Sequence, residues 1–246
     1  MRSAPAAATG DSLTLFDTLV LRFSFKARAT GRPHDSAKTG PAAAGLGSAG
    51  LGSAGLHKAG SESAALELST GLRVAAVLFV TVLTALASQI SVPLPFTPVP
   101  FTLQPMVVLL GGAALGSRLG MTSLVLYLAL GLAGLPVFAA SPVLPQGLAR
   151  LLGPTGGYLM SYPLAAFAAG YLAERGFDRR YLTSVVAMGA GLVIIFACGV
   201  AWMAFGAPHV GLSTAVRAGL VPFIPADIIK IFLAATVLPA AWRFLR

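Results

Sequence analysis

Charged residues are scarce in this chain of 246 residues. It has 17 Lys and Arg and 8 Asp and Glu, or 10% charged residues, whereas 56% of its residues are hydrophobic. A soluble protein of this length needs more charged residues on its surface than this. The composition therefore predicts an integral membrane protein. The net charge is +9, but the basic residues lie in the N-terminal tail and between apolar segments, which argues against nucleic-acid binding.

Cysteine and histidine are also rare, with one cysteine and three histidines. Cys198 stands alone in an apolar run, so an intrachain disulfide is excluded. His209 is the only histidine after position 66, and no second ligand lies at a metal-binding spacing from it, which predicts a loop position. The phosphate-binding pattern G-x-x-x-x-G-K-[ST] is absent as well. We therefore expect neither a metal nor any other cofactor.

The N-terminal tail, positions 1–66, differs in kind from the rest of the chain. It is rich in Gly, Ala and Ser, and the sequence GLGSA occurs from Gly45 and again from Gly50. Such a segment has too little apolar surface to fold, so a disordered tail is predicted over 1–66, ahead of a membrane domain over 67–246. The apolar stretch Leu13–Phe25 suits a targeting or surface-seeking segment; a start codon assigned too far upstream is the alternative.

Six apolar segments follow the tail, and together they predict an all-α integral membrane protein with six transmembrane helices. A spanning helix needs about 20 residues, so the second segment, which is short, is expected to tilt or to lie buried among its neighbours. The segments cover about positions 72–90, 105–115, 120–138, 156–173, 183–205 and 226–244.

The basic residues between these segments predict the orientation of the bundle in the membrane. With both termini in the cytoplasm, seven arginines fall on the cytoplasmic side and two, Arg150 and Arg217, on the outer side, as the positive-inside rule requires. The start of the last helix then faces outward. The seven are Arg73, Arg118, Arg175, Arg179, Arg180, Arg243 and Arg246.

Asp227 and Lys230 lie at the start of the last apolar segment. An ionisable side chain in hydrocarbon costs roughly 2.5–3.5 kcal/mol even on lenient insertion scales, so it is by default a functional-site hypothesis. The spacing i, i+3 places the two side chains on one helix face. Either they neutralise each other, or together they present an acceptor and a donor to one polar ligand.

The first outer loop, Ser91–Pro105, contains five prolines and no charge. Proline fixes φ and removes backbone donors, so a stiff, largely non-helical strap is predicted. The loop is either a plain connector or a cover over a small amphiphilic molecule. The side chains that suit a cover are Phe96, Thr97, Phe101, Thr102 and Gln104.

A second polar element, Gly153–Tyr158, leads into the fourth apolar segment. Pro154 and Thr155 predict a helix start with free backbone N–H groups. Gly157 permits the close approach of another backbone or of a ligand. Tyr158 either stacks on a ligand ring or marks the membrane interface.

Two further predictions concern connections and helix faces. Glu174 and Asp178, which lie among arginines between the fourth and fifth segments, predict a solvated turn. Thr81 and Thr84 each have a small residue four positions later, a pattern that favours close packing of the first helix on another helix.

Four of these stretches, taken in order, resemble the BioY family, the biotin-specific substrate-binding components of energy-coupling-factor transporters. The similarity covers roughly positions 70 to 244. It rests on Pro98–Gln104, Leu128–Phe138, Leu152–Leu159 and Val221–Lys230.

The resemblance implies a six-helix membrane protein that binds biotin near its outer face, under the loop between the first two helices. It also implies a separate transmembrane coupling protein and two ABC-type ATPases as partners. The ureido group of biotin would meet Asp227, Gln104 or backbone groups, and its carboxylate would meet Lys230 or Arg150. The full set of expected binding residues is Asp227, Lys230, Gln104, Tyr158, Thr97, Phe101, Thr155, Gly157 and Arg150.

Four alternatives remain at this point. The same scaffold can serve another small vitamin, or it can transport biotin without an ATPase module. In an intramembrane enzyme, Asp227 and Lys230 would act as an acid and a base. In an assembly protein, the same two residues would form a buried ion pair that holds helices together.

Overall fold

A computed structural model describes residues 14–30, 50–140, 146–206 and 208–245, and these are almost entirely helical. One antiparallel strand pair and one π-helical turn, Ala173–Phe177, accompany the helices. The elements are α1 Leu15–Thr30, α2 Gly50–Gln89, β1 Ser91–Val92, β2 Phe101–Thr102, α3 Gln104–Leu115, α4 Ser117–Leu132, α5 Leu148–Leu152, α6 Gly156–Leu172, α7 Tyr181–Phe205, α8 Leu212–Gly219 and α9 Ile224–Leu245.

The chain divides into two compact units. One comprises Thr18–Ala75, and the other comprises the residues up to Asp17 together with Ala76–Arg246. In the predicted tail, the structure describes residues 14–30, with helix at 15–30, and helix from position 50 onward; positions 1–13 and 31–49 lie outside the described residues. The start of α1 has a local cause, because the Thr14 hydroxyl donates to Asp17 and the Asp17 N–H donates back to Thr14 Oγ1, a reciprocal cap of a helix start.

The six predicted apolar segments each coincide with a helix, namely α2, α3, α4, α6, α7 and α9. Three stretches in the described part of the chain are long and apolar enough to cross a membrane: Leu68–Gln89, Tyr181–Phe205 and Ile224–Phe244. The predicted all-α fold is confirmed, but only three of the six predicted transmembrane helices contain a stretch of full spanning length and hydropathy among the described residues. The shortest of the six is α3, which falls well below the length of about 20 residues that a spanning helix needs. Most of its residues are buried among neighbouring helices, as expected for a short segment.

Small residues allow α3 to lie against α6. A Cβ atom at Gly112 would lie 2.5 Å from the Ala166 carbonyl oxygen, a distance that no side chain tolerates. The small-residue face of α2 is turned inward as well. Thr81 and Thr84 are buried, and the Thr81 hydroxyl donates to the Ser123 carbonyl of α4 at 2.9 Å. These threonines therefore pack within the bundle, so they offer no surface to a partner.

The acidic residues after α6 do not form the solvated turn that the sequence predicted. Glu174 Oε1 accepts hydrogen bonds from the backbone N–H of Ser117 at 2.7 Å and from its hydroxyl at 2.8 Å, and so caps the start of α4. Asp178 is buried and accepts from Trp242 Nε1 at 2.6 Å. Burial raises the pKa of the Asp178 carboxyl, and the bond from Trp242 offsets part of that rise. Both carboxylates therefore turn toward donors on other helices, namely Ser117 of α4 and Trp242 of α9.

Replacing Glu174 by alanine is expected to lower the free energy of unfolding by about 1–2 kcal/mol, because the backbone N–H and the hydroxyl of Ser117, at the start of α4, lose their acceptor. Thermal unfolding of the detergent-solubilised protein measures this change. The matched control is Arg180→Ala, which removes an exposed charge from the same connection. Equal losses in the two variants would contradict a capping role.

Candidate functional site

The strap between α2 and α3 is a short β-hairpin. Ser91 pairs with Thr102, and Val92 pairs with Phe101, in antiparallel register. The prolines between the two strands leave few backbone donors for further pairing, so the ladder stops after two residue pairs. This confirms the predicted non-helical strap and places Thr102 and Gln104 where the chain enters α3.

On α9, Asp227 and Lys230 form an ion pair with each other, and Lys230 also binds the strap. Lys230 Nζ lies 2.6 Å from Asp227 Oδ1, and both side chains are buried. The same ammonium donates to the Thr102 carbonyl oxygen at 2.6 Å and lies 3.6 Å from the centre of the Phe101 ring. Asp227 sits in the first turn of α9, where the helix dipole favours a negative charge. Lys230 thus connects the last helix to the strap.

Arg150, on the short helix α5, is the largest side chain that is fully buried among the described residues, with an exposed fraction of 1%. Its Nη2 donates to the Ala139 carbonyl oxygen. Its Nε and Nη1 are buried and have no hydrogen-bond partner in the described part of the chain. Burial lowers the pKa of this guanidinium from its ordinary high value. An unpaired buried cation of this kind is a ready site for an anion.

A third polar cluster joins Gln104, the first residue of α3, to Tyr127 and the Val137 carbonyl. Its Nε2 lies 2.5 Å from the hydroxyl of Tyr127 on α4, and that hydroxyl donates to the Val137 carbonyl oxygen at 3.0 Å. Both side chains are buried. The Tyr127 ring packs edge-on against Phe138, with ring centres 5.6 Å apart.

A cavity of about 40 Å³ lies among these groups. Its wall is mainly apolar and aromatic, with a few polar groups, as in small-molecule sites. Its volume holds a few water molecules but not a bicyclic ligand, so a ligand enters only if the walls move apart. The lining residues are Val99, Pro100, Thr102, Gln104, Phe138, Ala139, Arg150, Thr155, Tyr158, Leu159 and Tyr162.

The structure brings four of the predicted binding residues to this cavity, namely Gln104, Arg150, Thr155 and Tyr158. The predicted helix start at Gly153–Tyr158 is confirmed, since α6 begins at Gly156 after the cap residue Thr155.

Asp227, Lys230 and Phe101 form a cluster beside the cavity, joined to it through Thr102. Thr97 and Gly157 lie elsewhere. The Thr97 hydroxyl accepts from the Val99 N–H at 3.1 Å within the strap.

Gly157 faces α7, where any Cβ atom would overlap Trp202. Its lack of a side chain therefore serves helix packing. His209 lies exposed in a loop, as predicted. In the described ranges, no group of three or more His, Cys, Asp or Glu residues is placed to hold a metal ion.

The sequence reasoning missed Tyr127 and Tyr162. Tyr162 carried a usable signal, because it lies four positions after Tyr158 and seven after Thr155, on the same face of α6. Tyr127 had no such signal. Its position next to Gln104 arises from the packing of α3 on α4, and the two residues are 23 positions apart.

The model of the BioY family matches residues 62–246. The chain belongs to the BioY family. It is 42% identical over 170 residues to the probable biotin transporter BioY of Pyrococcus horikoshii, covering 69% of this chain and 94% of that one. It is also 42% identical over 158 residues to the biotin transporter BioY of Thermotoga maritima, covering 64% of this chain and 88% of that one.

A solved structure, the S-component for biotin from an ECF-type ABC transporter, has the same fold. The TM-score is 0.63 at 28% sequence identity, and the match covers 70% of this chain and 90% of that chain. As a BioY family member with long apolar helices, this chain is a multi-pass membrane protein and a transporter component. The alternative of an intramembrane enzyme is therefore set aside.

Proposed function

We propose that this chain is the biotin-binding component of an ECF-type uptake system. The observation that carries the proposal is Arg150, a residue of the cavity wall whose guanidinium has two buried N–H-bearing nitrogens with no partner among the described residues. A small ligand with a carboxylate satisfies them. The relatives named biotin transporters and the solved S-component support biotin as that ligand.

The carboxylate of biotin then meets Arg150, not Lys230. The sequence left both cations open, but the Lys230 charge is already neutralised by Asp227 at 2.6 Å. The ureido group meets Gln104, with the ion pair beside it, and the sulfur-containing ring packs against Phe138 and Tyr158. This arrangement gives both polar ends of the ligand a partner of matching chemistry.

Binding requires the strap to move, because the cavity is far smaller than biotin. The strap is held by two residue pairs of the hairpin and by the hydrogen bond from Lys230 to Thr102. We infer that the strap opens to admit biotin and closes over it. Lys230 then has two roles, since it neutralises Asp227 and holds the strap in its closed position.

The orientation in the membrane follows the arginine count, with both termini in the cytoplasm. The burial of Arg150 supports this unequal distribution of arginines. With Arg150 buried, Arg217 is the one solvent-exposed arginine that the prediction leaves on the outer side among the described residues. The strap and the start of α9 face outward. A transmembrane coupling protein and two ATPases would supply the energy from the other side, since no phosphate-binding loop pattern is present in this chain.

Equilibrium binding of radiolabelled biotin to the purified full-length chain tests the proposal, with a variant lacking positions 1–66 measured in parallel. We expect saturable 1:1 binding in both, displaced by unlabelled biotin but not by thiamine or riboflavin. Displacement by another vitamin would favour the alternative substrate. Uptake into cells with and without an ATPase module distinguishes the solitary transporter from the ECF assembly.

A further inference from the structure

The Val137 carbonyl sets the direction of a hydrogen-bond relay that ends at the cavity. A backbone carbonyl accepts hydrogen bonds and never donates them. The Tyr127 hydroxyl, 3.0 Å away, therefore gives its one proton to Val137. The Tyr127 oxygen then has only lone pairs left for Gln104, 2.5 Å away on the other side. The group that Gln104 directs at Tyr127 must be its NH₂.

Ser88 is also near this relay and does not reverse it. Its hydroxyl lies 2.6 Å from the carbonyl oxygens of Ala85 and Val137, both of which only accept. Its oxygen in turn accepts from Gln89 Nε2 at 2.8 Å. The single Ser88 proton is thus directed at backbone carbonyls, and the amide of Gln104 remains the donor to Tyr127.

We propose that Tyr127 is a positioning residue that holds the Gln104 amide with its carbonyl oxygen toward the cavity, so that the site selects ligands that donate an N–H there. Gln104 lines the cavity, and its Oε1 makes no hydrogen bond within the described part of the chain. Tyr127 itself is fully buried and does not line the cavity. The inference rests on the proposed function, because it names what Gln104 offers to the ureido group of biotin.

The Tyr127 ring has little freedom to change this arrangement. It is 0% exposed and packs edge-on against Phe138, which does line the cavity. Tyr127→Phe would keep that packing and remove only the hydroxyl. The Gln104 amide would then be free to turn over and present either its oxygen or its NH₂ to the ligand.

The test measures selectivity with three analogues of biotin. Two are lactams, in which one or the other ureido N–H is replaced by CH₂. The third is a cyclic carbamate with an oxygen in place of the N–H that is proposed to face Gln104 Oε1. The unmodified chain should bind one lactam about 10- to 100-fold more weakly than biotin, since Gln104 Oε1 is left unpaired. It should bind the carbamate more weakly still, because two acceptors then face each other.

In Tyr127→Phe, biotin affinity should fall about tenfold and the ratio of biotin to carbamate affinity should drop below about 3, because the freed amide can turn its NH₂ toward the carbamate oxygen. Gln104→Met should remove the same discrimination, and adding Tyr127→Phe to Gln104→Met should change the ratio no further. Thr84→Val, which removes another buried hydroxyl away from the cavity, should keep the wild-type ratio.

Two results would overturn the inference while leaving biotin binding intact. One is a ratio of biotin to carbamate affinity in Tyr127→Phe that equals the ratio in the unmodified chain. The other is tight binding of the carbamate by the unmodified chain, a measurement that needs no variant to fold. Failure of the unmodified chain to bind biotin would instead overturn the proposed function, and this inference with it.

Discussion

Replacing Lys230 by methionine is expected to abolish biotin binding and to destabilise the protein by about 3–5 kcal/mol, because it leaves the Asp227 carboxylate buried without a counter-ion. Removing one partner is the costly way to break a buried ion pair. The substitution also frees the Thr102 carbonyl and with it the strap. Thermal unfolding and radiolabelled biotin binding measure the two effects separately.

A double variant separates the role of the pair in folding from its role in binding. Asp227→Leu combined with Lys230→Met replaces the pair by apolar groups and should recover most of the lost stability, because no unpaired charge remains. Biotin binding should not recover. If it does, the two charges serve only each other, as in the assembly-protein alternative. The exchange of Asp227→Lys with Lys230→Asp gives a second check, since preserved biotin uptake would point the same way.

Replacing Arg150 by methionine should weaken biotin binding about 10- to 150-fold, because a charge-assisted hydrogen bond contributes about 1.5–3 kcal/mol. Biotin amide, which lacks the carboxylate charge, should be affected less than about threefold by the same substitution. Equilibrium binding of both ligands to each variant measures the effect. The biotin affinity of Arg150→Lys should lie between those of the unmodified chain and Arg150→Met, since an ammonium keeps the charge but lacks the planar, two-pronged donor geometry.

Arg217→Met is the control for Arg150→Met. Arg217 is the other arginine assigned to the outer side, but it is exposed on α8, so its removal should leave both affinities unchanged. An equal loss of biotin and biotin amide in Arg150→Met would mean that Arg150 supports the cavity through its bond to Ala139 and does not recognise the carboxylate.

The helices could be predicted from the sequence because the information that determines them is local. Apolar runs broken by Gly, Pro and charged residues located all six main helices. The helix start before Gly156 followed from Pro154 and Thr155. The pairing of Asp227 with Lys230 needed only the spacing of one helix face.

Arg150 shows where that local information stopped. Counting arginines placed it in an outer connection, and only the resemblance to a known family made it a candidate ligand contact; the structure shows that it is 1% exposed. Its burial depends on α5 lying against the cavity, with its guanidinium bonded to Ala139, eleven positions earlier. Sequence composition reports that a charge exists between two helices but not whether the connection folds inward. The same holds for Glu174 and Asp178, whose partners belong to other helices.

The sequence by itself determined the class of protein, the order of the helices and the presence of a charged pair at the start of α9, because hydropathy and helical periodicity act over a few turns. Only the tertiary structure decided what those charges contact. Lys230 reaches Thr102, which lies 128 positions away in the chain, and Gln104 receives its orientation from Tyr127 and Val137. Hydrogen bonds require donor and acceptor atoms at about 3 Å and in a fixed direction, and only the packed helices set both.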